Sequence, residues 1–219
     1  MLNSSLLRIA AGGIAYQSAA TAALHSWGLL NQIAVPPWLG ILTTLLFLDF
    51  AIYGQHVLSH KWSLLWRLHQ VHHTDLDFDA TTAIRFHPLE IIVSMAYKIF
   101  CIVLIGAHPV AVIAFEIILN GCAIFNHSNV YIPLAIDRKL RWLLVTPDMH
   151  RIHHSTLPAE TDSNYGFSIS CWDRLCRTYR ADPEQPHANM AIGLAPYRRQ
   201  SELTFGRLLL LPFRPLRRR

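Results

Sequence analysis

The chain reads as an all-α integral membrane helical bundle of about four crossings, with a helical cap that carries most of its histidines. Three observations predict this. Hydrophobic residues make up 52% of the 219 residues and charged residues only 15%, against roughly 25% charged in ordinary soluble domains, and mean hydropathy is +0.27. Four apolar segments, 6–30, 38–58, 90–105 and 109–126, are separated by turn residues and read as membrane helices. Between and after them the 13 histidines gather at helical spacing.

Each element follows from local composition. Residues 6–30 are rich in Ala and Gly; Gln17, Ser18 and the Gly12-Gly13 pair make this the weakest crossing. Pro36-Pro37 closes a turn and opens the second crossing, 38–58, the strongest membrane candidate of the set. It contains Asp49, and a carboxylate at membrane depth is costly enough to suggest function. Asp49, Tyr53, His56 and His60 fall at i, i+4, i+7 and i+11, one polar stripe on an apolar helix. A buried hydrogen-bond anchor for a neighbouring helix is the competing reading of Asp49. Residues 61–88 are more polar, and Trp62 and Trp66 suit the membrane interface. Gly106-Ala107-His108-Pro109 divides the next apolar region into two helices joined by a tight far-side turn. Lys98 in the first of these would have to snorkel to the interface. Residues 127–219 hold no run long enough to span. We read residues 1–219 as a single membrane domain and 183–219 as a basic C-terminal tail ending in Arg217-Arg218-Arg219.

Charge and cysteine narrow the function classes. Of 19 Lys and Arg, only Arg8 precedes Lys61. That asymmetry suggests one side of a membrane, and without a nucleic-acid motif it excludes a nucleic-acid surface as the partner. Four cysteines show no CxxC pair and read as small core residues in a reducing compartment. Four crossings return the chain to one side, so His56, His60, His69, His72, His73, His87, His127, His150, His153 and His154 share one membrane face, with His25 and His108 opposite. The basic residues place that face in the cytoplasm. His56 and His60 are four apart, while His69, His72, His73 and again His150, His153, His154 repeat i, i+3, i+4, which puts three imidazoles on one helical face. One ion needs three or four ligands, so eight such histidines suit two metals. Imidazole alone does not choose between iron, zinc, copper and nickel. Asp75, Asp77 and Asp79 alternate but read as an acidic turn.

The stretches DFAIYGQHVLSHKWSLLWRLHQVHHTD, TTAIRFHPLE, FNHSN, VTPDMHRIHHS and TDSNYGF with WDRL resemble the fatty acid hydroxylase / sterol desaturase superfamily over residues 38–182. Its histidine boxes, HxxxH, HxxHH and a final HxxHH, are present in order. The resemblance implies a membrane-bound non-haem di-iron oxygenase that hydroxylates or desaturates a C–H bond of a lipid or sterol-like substrate with dioxygen. Its ligands would be the eight box histidines, with His127 in the NHSN element as the additional family histidine. His87 is weighed as a tenth ligand against a helix-start role before Pro88. Asn164, Tyr165, Trp172 and Asp173 are weighed as groups orienting imidazoles against plain turn and packing residues, and Asp49 and Tyr53 face the same interior. The cofactor would be two iron ions, with zinc as a substituted metal. Electrons would come from an external donor, a reductase, ferredoxin or cytochrome, because no GxGxxG, flavin or haem motif is present. The rival classes are a membrane metal transporter or store and a zinc-dependent lipid hydrolase.

Overall fold

The computed structural model describes residues 2–216, with side chains from residue 12 onward; the Arg217–Arg219 run of the tail lies outside them. The helices are α1 Leu2–Leu24, α2 Pro37–Lys61, α3 Ser63–His73, α4 Pro88–Ile105, α5 Pro109–Asn126, α6 Leu134–Leu140, α7 Pro147–His153, α8 Pro158–Thr161, α9 Cys171–Leu175 and α10 Phe205–Leu210. Among the described residues β-structure is limited to two isolated bridges, Leu144 with Ile169 and Ser155 with Ile192.

Proline sets five of the ten α-helix starts. α2, α4, α5, α7 and α8 each carry Pro in the first helical turn, where its missing N–H costs nothing. Among the described residues three helices, α2, α4 and α5, are long and apolar enough to cross a membrane. The expected first crossing is helical but stops at Leu24, short of residue 30, and α1 is not one of the three. Its polar and glycine positions explain the shortfall. α1 nevertheless packs against α4 and α5, and its buried Ala15 and Ala19 join Leu48, Ala51, Ile52, Ile102, Val112 and Phe115 in the main core. Small residues at such a seam let helix backbones approach closely.

The α4–α5 turn is fixed by a close backbone approach. Gly106 ends α4 in the left-handed region (φ 69°), and a Cβ there would sit 2.8 Å from Asn31 Nδ2 and 2.9 Å from Trp27 O. Gly28, also at positive φ (86°), faces it. The His108 amide donates to Thr44 Oγ1 at 3.2 Å, tying this far end to α2. At the other end Trp62 is extended (φ −98°, ψ 116°) and breaks α2 from α3, which folds back onto α2. Trp62 is exposed as expected, but Trp66 is not interfacial. It is 5% exposed and lies against the rings of His60 and His73.

Lys98 does not snorkel. It is buried and forms an ion pair with Glu116 across the α4–α5 seam. A partner at the same depth makes a membrane-level ammonium tolerable without reaching the surface.

Candidate metal centre

The helix ends on the α3 side bring nine imidazoles together. One group is His56 and His60 from α2, His69 and His73 from α3, and His153 from α7. The other is His72 from α3, His127 at the C-cap of α5, and His150 and His154 from α7 and its C-cap. Within each group the ligand atoms lie within 4.8 Å of one another, and all nine residues are buried. The i, i+4 pairs 56/60, 69/73 and 150/154 each stay in one group. His72 and His153 cross to the group opposite their box partners, so the expected single face of three imidazoles divides between two groups.

The rings are held by their second nitrogens. His56 Nδ1 donates to Tyr165 O at 2.7 Å, His153 Nδ1 to Ser163 O at 2.7 Å, and His127 Nδ1 to Ala123 O at 2.7 Å. His69 Nδ1 meets Glu90 Oε1 at 2.6 Å. Each such bond fixes the tautomer that leaves Nε2 with a lone pair for a metal. Nε2 of His127 lies 3.3 Å from Nε2 of His72 and 3.1 Å from Nε2 of His150, three like nitrogens aimed at one spot.

The donor set fits metal ions. The buried nitrogens His56 Nε2, His69 Nε2, His72 Nδ1, His150 Nδ1 and both nitrogens of His73 and His154 have no hydrogen-bond partner. Buried polar atoms are normally paired, so such a concentration points to a ligand that takes lone pairs. Burial first, and neighbouring imidazoles second, hold His72, His73, His150 and His154 well below the ordinary histidine value of 6.5. They are therefore neutral at physiological pH, the form that binds metal.

The remaining sequence candidates lie outside both groups. His87 is the N-cap of α4: its Nδ1 accepts from the Leu89 amide at 3.2 Å and its Nε2 donates to Leu209 O at 3.2 Å. Asp49 Oδ2 accepts from Trp172 Nε1 at 2.8 Å and Tyr53 OH meets Thr178 Oγ1 at 2.8 Å, so the polar stripe of α2 grips the 169–178 segment. Asp173 accepts from the amides of Tyr165 (2.7 Å) and Gly166 (2.9 Å), and burial pushes its carboxyl up. Asn164, at positive φ (51°), donates to Met149 O and Arg180 O, both at 3.0 Å. Asn164 thus sits between the two carbonyls, Ser163 O and Tyr165 O, that orient His153 and His56. Asp75 is the expected acidic-turn residue, paired with Arg85 at 3.0 Å.

Sequence reasoning missed Glu90, Ser163 and Phe86. The signal for Glu90 was its place in RFHPLE, three residues after His87 in the first turn of a membrane helix. Phe86 stacks on His72 with ring centroids 4.3 Å apart. A cavity of about 60 Å³ beside His56 and His69 shares Ile52, Phe86, Glu90, Ser94 and Phe167 with a second of about 110 Å³ that reaches Lys98 and Glu116.

Fold and site together describe a helical bundle with membrane-length spans and a buried all-histidine candidate metal centre at one end. The fatty acid hydroxylase family matches residues 41–178, and the chain belongs to that family. Alkylglycerol monooxygenase of Xenopus tropicalis is 30% identical over 198 residues, 84% of this chain and 42% of its own length. Ornithine lipid hydroxylase of Rhizobium tropici is 28% identical over 68% of this chain and 44% of its own. Cholesterol 25-hydroxylase of Rattus norvegicus is 23% identical over 65% and 47%. The chain spans less than half the length of these curated relatives. No solved structure matches it.

Proposed function

We propose that this chain is a membrane-bound di-iron oxygenase that hydroxylates or desaturates a C–H bond of a lipid or sterol-like substrate with dioxygen. The observation that carries this reading is the pair of buried imidazole groups, five and four residues, at the end of three membrane-length helices. The names of the relatives, a monooxygenase and two hydroxylases of lipids or sterols, support the same class.

His56, His60, His69, His73 and His153 would hold one iron, and His72, His127, His150 and His154 the other. Iron in such a site supplies the activation of dioxygen that side chains cannot perform. The chain's own residues do the rest. Ser163 O, Tyr165 O, Ala123 O and Glu90 keep four imidazoles in the donating tautomer. Ile52, Phe86 and Phe167 shield the groups from water on the cavity side. A substrate C–H bond would approach through that cavity, because His56 and His69 line it. Glu90 and Ser94 line it, Glu90 accepting the Nδ1–H of His69 and Ser94 donating to Gln55 Oε1 at 3.2 Å. Electrons would come from a separate reductase, ferredoxin or cytochrome, and the basic residues favour a cytoplasmic histidine face.

Elemental analysis with dioxygen-uptake assays tests the proposal. About two irons per chain and reductant-dependent uptake stimulated by a lipid extract are expected. A protein that holds only zinc, and consumes no oxygen after iron loading, overturns it.

A further inference from the structure

Lys98 and Glu116 pair near the middle of two membrane-length helices, α4 and α5. An ion pair is a poor device for joining such helices, because well-packed apolar residues do so at least as well. Ionisable groups at membrane depth more often serve a ligand or ion path. Both residues line the cavity of about 110 Å³, with Ser94 of α4 and Asn120 of α5 beside them. Their side chains keep 9% and 16% of their surface open. Of the pair's polar atoms only Glu116 Oε1, the oxygen that meets Lys98, is fully enclosed. Glu116 Oε2 and the remaining ammonium protons of Lys98 are left for a ligand. Through Ile52, Phe86, Ser94 and Phe167 this cavity adjoins the one lined by His56 and His69.

We infer that Lys98 and Glu116 recognise the hydroxyl end of an otherwise apolar substrate and so select alcohols over both hydrocarbons and lipid anions. A hydroxyl accepts from the ammonium, donates to Glu116 Oε2 and adds no charge. A carboxylate or phosphate would compete with Glu116 for Lys98 and leave one anion without a counter-ion at membrane depth. The same pair sets the reach of the substrate. On α4, Glu90, which holds His69, and Lys98 are separated by about 12 Å at 1.5 Å rise per residue. A hydroxyl on the pair therefore places a carbon about that far along the molecule beside His56 and His69. Taking the cavity as a substrate path rests on the lipid-oxygenase reading, but the binding does not depend on iron.

The test is a scintillation-proximity assay on the purified, metal-free full chain in detergent. Radiolabelled hexadecanol is displaced by unlabelled hexadecanol, hexadecane or palmitate. Hexadecane and palmitate should each need about tenfold more than hexadecanol for half-displacement, as expected of hydrogen bonds to charged groups. Lys98→Met combined with Glu116→Leu removes both charges and leaves no uncompensated ion, so the bundle should still fold. In that variant hexadecanol should bind about tenfold more weakly, level with hexadecane. Ser94→Phe, which fills the neck between the two cavities and keeps the pair, should weaken alcohol and hydrocarbon alike. Equal displacement by hexadecane or palmitate in the parent protein overturns the site. So does the alcohol preference kept in the double variant, or unchanged hexadecanol binding in Ser94→Phe. Because no iron is needed, failure of the oxygen-uptake assay leaves this result standing, and failure here leaves the metal reading standing.

Discussion

Glu90 shows how one residue decides what an imidazole can do. Its carboxylate accepts a hydrogen bond from the Nδ1–H of His69 at 2.6 Å, inside a site where both groups are buried. A carboxylate in that place fixes the ring and raises its basicity as a ligand. Glu90→Gln should lower iron affinity roughly 10–100-fold, measured by chelator competition. Retention equal to the parent protein would make the contact a mere packing pair. The neighbouring imidazoles predict a pH dependence. In the metal-free protein His72, His73, His150 and His154 hold values below 6.5, so folding keeps them neutral where the unfolded chain takes up protons. Their contribution is fully present above about pH 6.5 and is lost as pH falls below it, because there the unfolded state binds more protons. The unfolding temperature of the metal-free protein should be flat from about pH 8 to about pH 7 and fall toward about pH 5.

The short loop between α8 and α9 does more for the site than its length suggests. Ser163 O and Tyr165 O each orient one histidine, and Asp173 holds the backbone between them by accepting two amides and Thr178 Oγ1 (2.7 Å). Asp173→Ala would leave those buried donors unpaired, at about 2 kcal/mol or more in total. The expected fall in Tm is roughly 4–8 °C, and iron content should drop with it, because His56 loses the carbonyl that orients it. A normal Tm with full iron would show that the loop holds its shape without Asp173. This element also marks where the sequence stops being legible. α2, α4 and α5 could be read because apolar runs and leading prolines are side-chain properties. The histidine boxes were legible for the same reason, down to all nine residues now found together. Backbone carbonyls carry no such label, so Ser163 passed unnoticed, and Tyr165, weighed as an orienting group against a packing role, acts through a carbonyl that its side chain does not announce. A helical wheel gives the face of His69, His72 and His73 but not the neighbours that divide it, so the two groups needed α5 and α7 in place. Trp66 failed for a similar reason: its position suggested an interface, while the fold of α3 back onto α2 buried it beneath His60 and His73.

Across the whole molecule, the histidine groups and the C-terminal ends of α2 and α5 lie toward one end, with Gly28, Gly106 and His108 at the other. Which end faces the cytoplasm depends on the positive-inside argument, in which Lys and Arg are retained on the side of synthesis. Cys176 offers a direct test. It follows α9, on the histidine side, and is the exposed thiol among the four; Cys101 is buried in α4, while Cys122 in α5 and Cys171 are half-buried. A membrane-impermeant maleimide should therefore leave Cys176 unlabelled in intact cells and modify it in inverted membrane vesicles. Cys176→Ser should remove that label, which assigns it to this thiol and not to Cys171. Labelling in intact cells, lost in Cys176→Ser, would place the histidine groups on the outer face. The proposed supply of electrons from a cytoplasmic reductase, ferredoxin or cytochrome would then fail on geometry alone, because donor and metal centre would lie on opposite sides of the bilayer.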